Sequence, residues 1–130
     1  MKKTLLLLIA AITSFAAVQA QQKAAWKEME AFHEIMAKTF HPAEEGKLEP
    51  IRNRSQEMQD KAAAWRNSTA PEGYDKKAVK RSLEQLVKDS REINKLVKEN
   101  AADNILKEKL SALHDVFHEI MEKCEKEDHH

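Results

Sequence analysis

Apolar side chains recur at steps of three and four residues along four stretches of this chain. That spacing matches the turn of an α-helix and puts the apolar residues of each stretch on one face. The two glycines and three prolines lie between or at the edges of these stretches. The pattern therefore predicts four amphipathic helices, from about Gln22 to Phe40, Pro50 to Arg66, Asp75 to Lys98, and Asp103 to Lys126.

The segments between these stretches carry the signals of helix ends. Residues 41–47 read HPAEEGK and residues 67–73 read NSTAPEG, so both contain proline and glycine. Pro50 suits the first turn of the second helix, because proline lacks an amide hydrogen that a first turn leaves unpaired. Asp75 and Asp103 have the side chain of an N-cap. We expect loops at 41–48, 67–75 and 100–103.

Four such helices with short connections predict an all-α fold, an antiparallel up-down-up-down four-helix bundle. The bundle is expected to span residues 21–126, followed by a polar, disordered tail at 127–130 that includes His129 and His130. Its predicted core contains Leu83, Leu86, Ile93, Leu110, Leu113 and Phe117.

Residues 1–20 have the pattern of a cleaved secretory signal peptide. Lys2 and Lys3 precede an apolar run that starts at Leu5, and Val18 and Ala20 occupy the −3 and −1 positions of a cleavage site. We expect a periplasmic or secreted protein that has no membrane span once this segment is removed.

Net charge limits the kinds of partner we expect, and the cysteine content shows what must hold the fold together. Residues 1–20 hold two lysines and no acids, so the remaining chain has 20 Lys and Arg against 22 Asp and Glu. This slight excess of acids argues against binding to nucleic acid, which requires a basic face. The single cysteine, Cys124, cannot form an internal disulfide, so packing must hold the fold together.

One five-residue sequence, FHEIM, occurs at 32–36 and again at 117–121. In an up-down-up-down bundle, helices 1 and 4 are antiparallel neighbours, so the two copies are expected to face each other. From the midpoints of the two predicted helices, we expect His33 to lie level with His114, and Met29 level with His118, to within about one turn.

Three histidines in this region suggest a metal site. His114 and His118 are four residues apart, which puts both imidazoles on one face of a helix, as two ligands of one ion require. His33 is the expected third ligand, and His41 can join if the following loop turns back. Imidazole suits copper, zinc and nickel, and nearby methionines favour copper. Each of these residues can alternatively be an ordinary packing residue.

No enzymatic motif accompanies these histidines, and we expect that the protein is not an enzyme. The chain has no C-x-x-C-H sequence for covalent haem attachment and no H-E-x-x-H zinc motif. The paired E-x-x-H motifs of di-iron bundles are only half represented, by residues 30–33.

Met29 lies early in the first predicted helix and His118 lies late in the fourth. With these residues in an exported bundle of this length, the chain resembles the soluble periplasmic b-type cytochromes of the four-helix-bundle class. The resemblance implies haem b between helices 1 and 4, with Met29 and His118 as axial ligands. The additional His33 and His114 depart from that pattern and favour a bare ion.

The leading hypothesis is an exported bundle that binds a transition-metal ion, copper or zinc foremost, for storage, sensing or transfer. Two alternatives remain open at this point. One is a haem-binding electron carrier that uses Met29 and His118, and the other is a cofactor-free bundle whose outer faces bind a partner protein.

Overall fold

A computed structural model describes residues 25–123, and within this range the regular structure consists of four α-helices. The predicted signal peptide at 1–20 and the predicted tail at 127–130 lie outside the described residues. The all-α class is confirmed. None of the described helices is both long enough and apolar enough to cross a bilayer. The helices are α1 (Lys27–Glu44), α2 (Glu49–Asn67), α3 (Lys76–Lys98) and α4 (Asp103–Lys123).

Each helix packs against two others, in the cyclic order α1, α2, α3, α4 and back to α1. The α1/α4 pair is the least extensive of these four interfaces. Residue pairs between α2 and α3 follow the order expected for antiparallel neighbours, because Ser55 meets Asn94 and, further along α2, Arg66 meets Glu84. This arrangement is a four-helix bundle with a single interior.

The interior is apolar, and the predicted core is confirmed. Leu83, Leu86, Ile93, Leu110, Leu113 and Phe117 are all buried. At one end of the bundle, the interior contains a set of rings from α1, α2, α4 and the α2–α3 loop, whose contacting centroids are 5.1 to 5.9 Å apart. Such offset and edge-to-face contacts are favourable beyond the burial of area. We call this set the aromatic cluster: Trp26, Phe32, Trp65, Tyr74 and Phe117.

Helix α1 ends later than its sequence predicts. The prediction ended this helix at Phe40, before the segment HPAEEGK at 41–47, yet the helix continues through Pro42 to Glu44. Gly46 has a φ of 83°, a left-handed conformation that suits glycine. The Gly46 amide donates to the Ala43 carbonyl at 3.0 Å and the Lys47 amide donates to the Pro42 carbonyl at 2.9 Å. This paired arrangement ends the helix, so the glycine and not the proline is the stop signal.

Helix α1 begins at Lys27, and the predicted start at Gln22 lies outside the described residues. Trp26 just before the helix has an extended backbone, with φ −114° and ψ 95°. Its side chain is 2% exposed, and its indole N–H donates to the Ser68 hydroxyl at 2.8 Å. The turn before α1 thus directs an aromatic ring inwards against the end of α2.

The two aspartates predicted as N-caps behave differently. Asp75 caps α3, because its carboxylate accepts hydrogen bonds from two amides of the first turn. Asp103 is not a cap and is itself the first helical residue of α4. Its carboxylate accepts a hydrogen bond at 2.7 Å from Arg52, which also donates to the Ala101 carbonyl at 2.6 Å. A long-range ion pair therefore replaces the local cap.

One buried polar network joins α2 to α3. The Ser55 hydroxyl donates to the Asn94 side-chain oxygen at 2.8 Å. The Asn94 side-chain amide donates to Gln56 and Gln59, each at 2.8 Å. Because a buried polar atom without a partner is costly, this network favours one register of α3 against α2.

The buried face of α4 provides a direct test of this packing. Leu113 is 0% exposed, whereas Ile105 on the same helix is 36% exposed. We expect Leu113→Ala to lower the free energy of unfolding by about 2 to 5 kcal/mol, because it leaves a cavity in the core. The matched change Ile105→Ala should alter it by about 0.5 kcal/mol or less. Urea denaturation of both variants measures the difference, and equal effects would show that the buried face is assigned wrongly.

Candidate metal centre

The two FHEIM copies occupy matching positions on α1 and α4. Phe32 and Phe117 are 0% and 2% exposed, and their ring centroids are 5.9 Å apart. The isoleucines of both copies, Ile35 and Ile120, are also buried. The glutamates of both copies are exposed. The repeat thus encodes one inward-facing pattern on two helices that pack together.

His33 and His114 lie against two different phenylalanines. The His33 ring stacks on Phe117, with centroids 5.1 Å apart and an interplanar angle of 21°. His114 instead lies against Phe40, 3.9 Å away and nearly parallel at 7°. His33 was expected to lie level with His114 to within about one turn, and its contact on α4 is Phe117, three residues further along that helix.

His114 and His118 form a close pair on α4. Their Nε2 atoms are 3.1 Å apart and their ring centroids are 4.4 Å apart. The His118 side chain is 45% exposed, so the pair lies at the surface of the α1/α4 interface. One imidazole N–H donates to the other Nε2, with the direction set by the tautomers. The arrangement brings two ring nitrogens of one helix close together.

Both rings of the pair have a neighbour that orients them. The Phe40 ring holds the plane of His114 by stacking. On the other side of the pair, a Glu122 carboxylate oxygen lies 3.4 Å from His118 Nδ1. An Nδ1–H directed at this carboxylate leaves Nε2 with its lone pair towards His114. The same carboxylate–histidine pairing supports the ligands of many metal sites.

The surroundings of His114 favour its neutral form. Burial lowers the pKa of His114, and the positive charges that His118 and His41 can carry lower it further. The carboxylates of Asp115 and Glu44 act in the opposite direction and are smaller than the burial effect. Because only a neutral imidazole can bind a metal ion, this environment keeps one ligand available at lower pH than usual.

The other predicted ligands lie outside this pair. His41 is exposed beside Phe40, with ring centroids 5.6 Å apart, and is close enough to influence the charge of His114. His33 is exposed and packs on Phe117. Among residues 25–123, no group of three or more His, Cys, Asp or Glu side chains is placed to hold an ion together. Two of the four predicted metal ligands are thus brought into contact.

The two residues expected to bind haem each have another partner. The Met29 sulfur accepts a hydrogen bond from the Tyr74 hydroxyl at 3.8 Å, and His118 pairs with His114. Tyr74 belongs to the aromatic cluster, whose contacts extend to Phe117 beside His118. Both residues are thus engaged in side-chain contacts within the fold.

Two neighbours of the histidine pair were not predicted from the sequence. Glu122 follows His118 by four residues, the spacing of side chains one turn apart, so its signal was present. Phe40 was recognised only as an apolar residue of α1, because its stacking on His114 depends on the register between two helices.

Comparison with protein-family models, with characterised proteins and with solved structures finds no match to this chain.

The lowered pKa of His114 predicts a pH dependence of stability. At pH values between the pKa of His114 in the folded chain and its ordinary pKa, the unfolded chain binds more protons than the folded chain does. The free energy of unfolding therefore falls as pH falls through this range. We expect the parent to lose melting temperature between about pH 7.5 and 5.5, a range above most carboxylate titration. His114→Gln should lose less over the same range. Calorimetric scans measure both, and identical losses would contradict the assigned direction.

Proposed function

We propose that this protein binds a divalent transition-metal ion through Nε2 of His114 and His118, outside the cytoplasm. The observation that carries the proposal is the 3.1 Å separation of these two atoms on one face of α4. The pair retains the ligand type that the sequence suggested. Its location on a helix of a packed bundle also limits movement of the two rings, which favours binding.

The separation suits coordination to one ion. With metal–nitrogen bonds of about 2.0 to 2.1 Å, it corresponds to an angle of about 95 to 100° at the metal. This angle lies between the values for square-planar and tetrahedral geometry. Copper(II) and nickel(II) favour the first geometry and zinc favours the second, so these are the ions we propose, with copper and zinc foremost.

The surrounding side chains assist such an ion. The carboxylate of Glu122 faces Nδ1 of His118, and the ring of Phe40 limits rotation of His114. Burial lowers the pKa of His114, which reduces competition by protons. A bound ion would therefore find two oriented imidazoles, and the surroundings of His114 favour its neutral form.

Two protein ligands leave coordination positions open. Water can take these positions. Because the pair is partly exposed, an incoming ligand can reach the ion. An open, accessible site suits sensing or transfer of the ion more than sealed storage. Because an export signal is expected at residues 1–20, we propose that this activity takes place in the periplasm or outside the cell.

The histidine assignments are tested with zinc and copper(II) in a background that carries His129→Ala and His130→Ala. We expect this background to bind one ion per chain by calorimetry. His114→Ala and His118→Ala should each weaken binding by about a hundredfold or more, because one remaining imidazole is a poor site. The matched change His33→Ala should retain the affinity of the background. Unchanged binding by both single variants, or loss of binding in the background itself, would contradict the proposal.

The role of Glu122 gives a second test at the same site. Glu122→Gln should weaken zinc binding by about tenfold, the usual effect of losing a carboxylate that orients a histidine ligand. Glu119→Gln on the same helix changes the charge equally, at an exposed position. Equal effects of the two variants would show that only net charge matters, and would remove Glu122 from the site.

A further inference from the structure

Coordination at the histidine pair is incomplete within the described part of one chain. His114 and His118 supply two nitrogens, whereas zinc in a structural protein site takes four ligands. Within residues 25–123, no third side chain of a ligating type is placed to complete the set. The remaining positions must therefore be filled by water or by donors that lie outside this part of the chain.

The pair is accessible to a second molecule. The His118 side chain is 45% exposed, and His114 is partly exposed. The side chains within one turn of the pair on the outer side of α4 are Ser111, Asp115 and Glu122. These side chains are small or flexible, and none is a large apolar group. Another macromolecule can therefore bring its own donors to an ion held by the pair.

A second copy of this chain offers the missing donors. The two halves of a twofold interface use the same surface patch, so a twofold axis through the ion brings the same histidine pair to its opposite side. Four imidazole nitrogens then surround the ion, which is the closed tetrahedral set that zinc favours. We infer that one zinc ion joins two copies of this chain through His114 and His118 of each. This inference rests on the proposed metal site and adds its partner.

Charge on this surface makes the contact dependent on the ion. Asp115 and Glu122 are exposed next to the pair. Two copies that face each other here place four carboxylates around the axis, and like charges at short range repel. A divalent cation on the axis offsets this repulsion, and without it the copies remain apart. Zinc thus switches the protein between monomer and dimer, which suits the proposed sensing role.

The ratio of zinc to protein decides which species forms. When chains outnumber ions, two chains share one ion. When zinc is in excess, each chain holds its own ion and water fills the open positions. The dimer is therefore most abundant near half an equivalent of zinc per chain and declines as more zinc is added. Non-specific aggregation by zinc would instead increase with every addition.

Sedimentation velocity tests the inference in a background that carries Cys124→Ser, His129→Ala and His130→Ala. These changes remove the thiol and imidazole donors at 124–130. We expect a monomer in the presence of a chelator and a dimer with half an equivalent of zinc. An excess of zinc should return the chains to monomers that each hold one ion.

Variants and spectroscopy identify the bridging ligands in the same background. His114→Ala and His118→Ala should each abolish the dimer, because each removes two of its four zinc ligands. The matched change His33→Ala should retain the dimer. X-ray absorption at the zinc edge should show four imidazole nitrogens at half an equivalent, and two imidazoles with oxygen ligands when zinc is in excess.

The outcomes separate this inference from the metal site itself. A chain that binds zinc but stays monomeric at every ratio overturns the dimer and leaves the proposed metal site in place. Absence of zinc binding overturns both. A dimer that forms with the chelator present, or that persists in His114→Ala and His118→Ala, shows that the histidine pair is not the bridge and overturns the inference.

Discussion

The contact between Phe32 and Phe117 is the constraint on which the position of the candidate site depends. Both rings are buried and join the first helix to the last at the least extensive interface of the bundle. Burial of two phenylalanines stabilises the fold by several kcal/mol, of order 2 to 3 per side chain. That gain exceeds what any pairing of exposed histidines supplies, so the phenylalanines set the register and the histidines follow it. His33 consequently lies on Phe117, and His114 lies on Phe40.

The aromatic cluster also connects the start of the first helix to the interior beneath the histidine pair. Trp26 contacts Trp65, which contacts Phe117 beside His118. The interior that stabilises the bundle therefore also supports the histidine pair, which offers two ring nitrogens close together on α4.

The helical fold was predictable from the sequence because apolar spacing and turn residues act locally. The core of α3 and α4 and the cap at Asp75 follow from such local rules. Three features were not predictable, since each depends on residues distant in sequence. Helix α1 continues through Pro42 and ends at the turn that Gly46 forms. Asp103 pairs with Arg52, and His114 contacts Phe40 because of the register between two helices. For the same reason, the i,i+4 histidine pair was predictable, but its neighbour Phe40 on the other helix was not.

The most direct test of the metal proposal is the ¹⁵N chemical shift of each histidine ring nitrogen during a zinc titration. Coordination moves the shift of the bound nitrogen and leaves the others nearly unchanged. The account predicts that one equivalent of zinc moves the Nε2 signals of His114 and His118 together, while those of His33 stay in place. If zinc moves only signals of His129 and His130, or leaves both Nε2 signals of the pair unmoved, the proposed site is wrong.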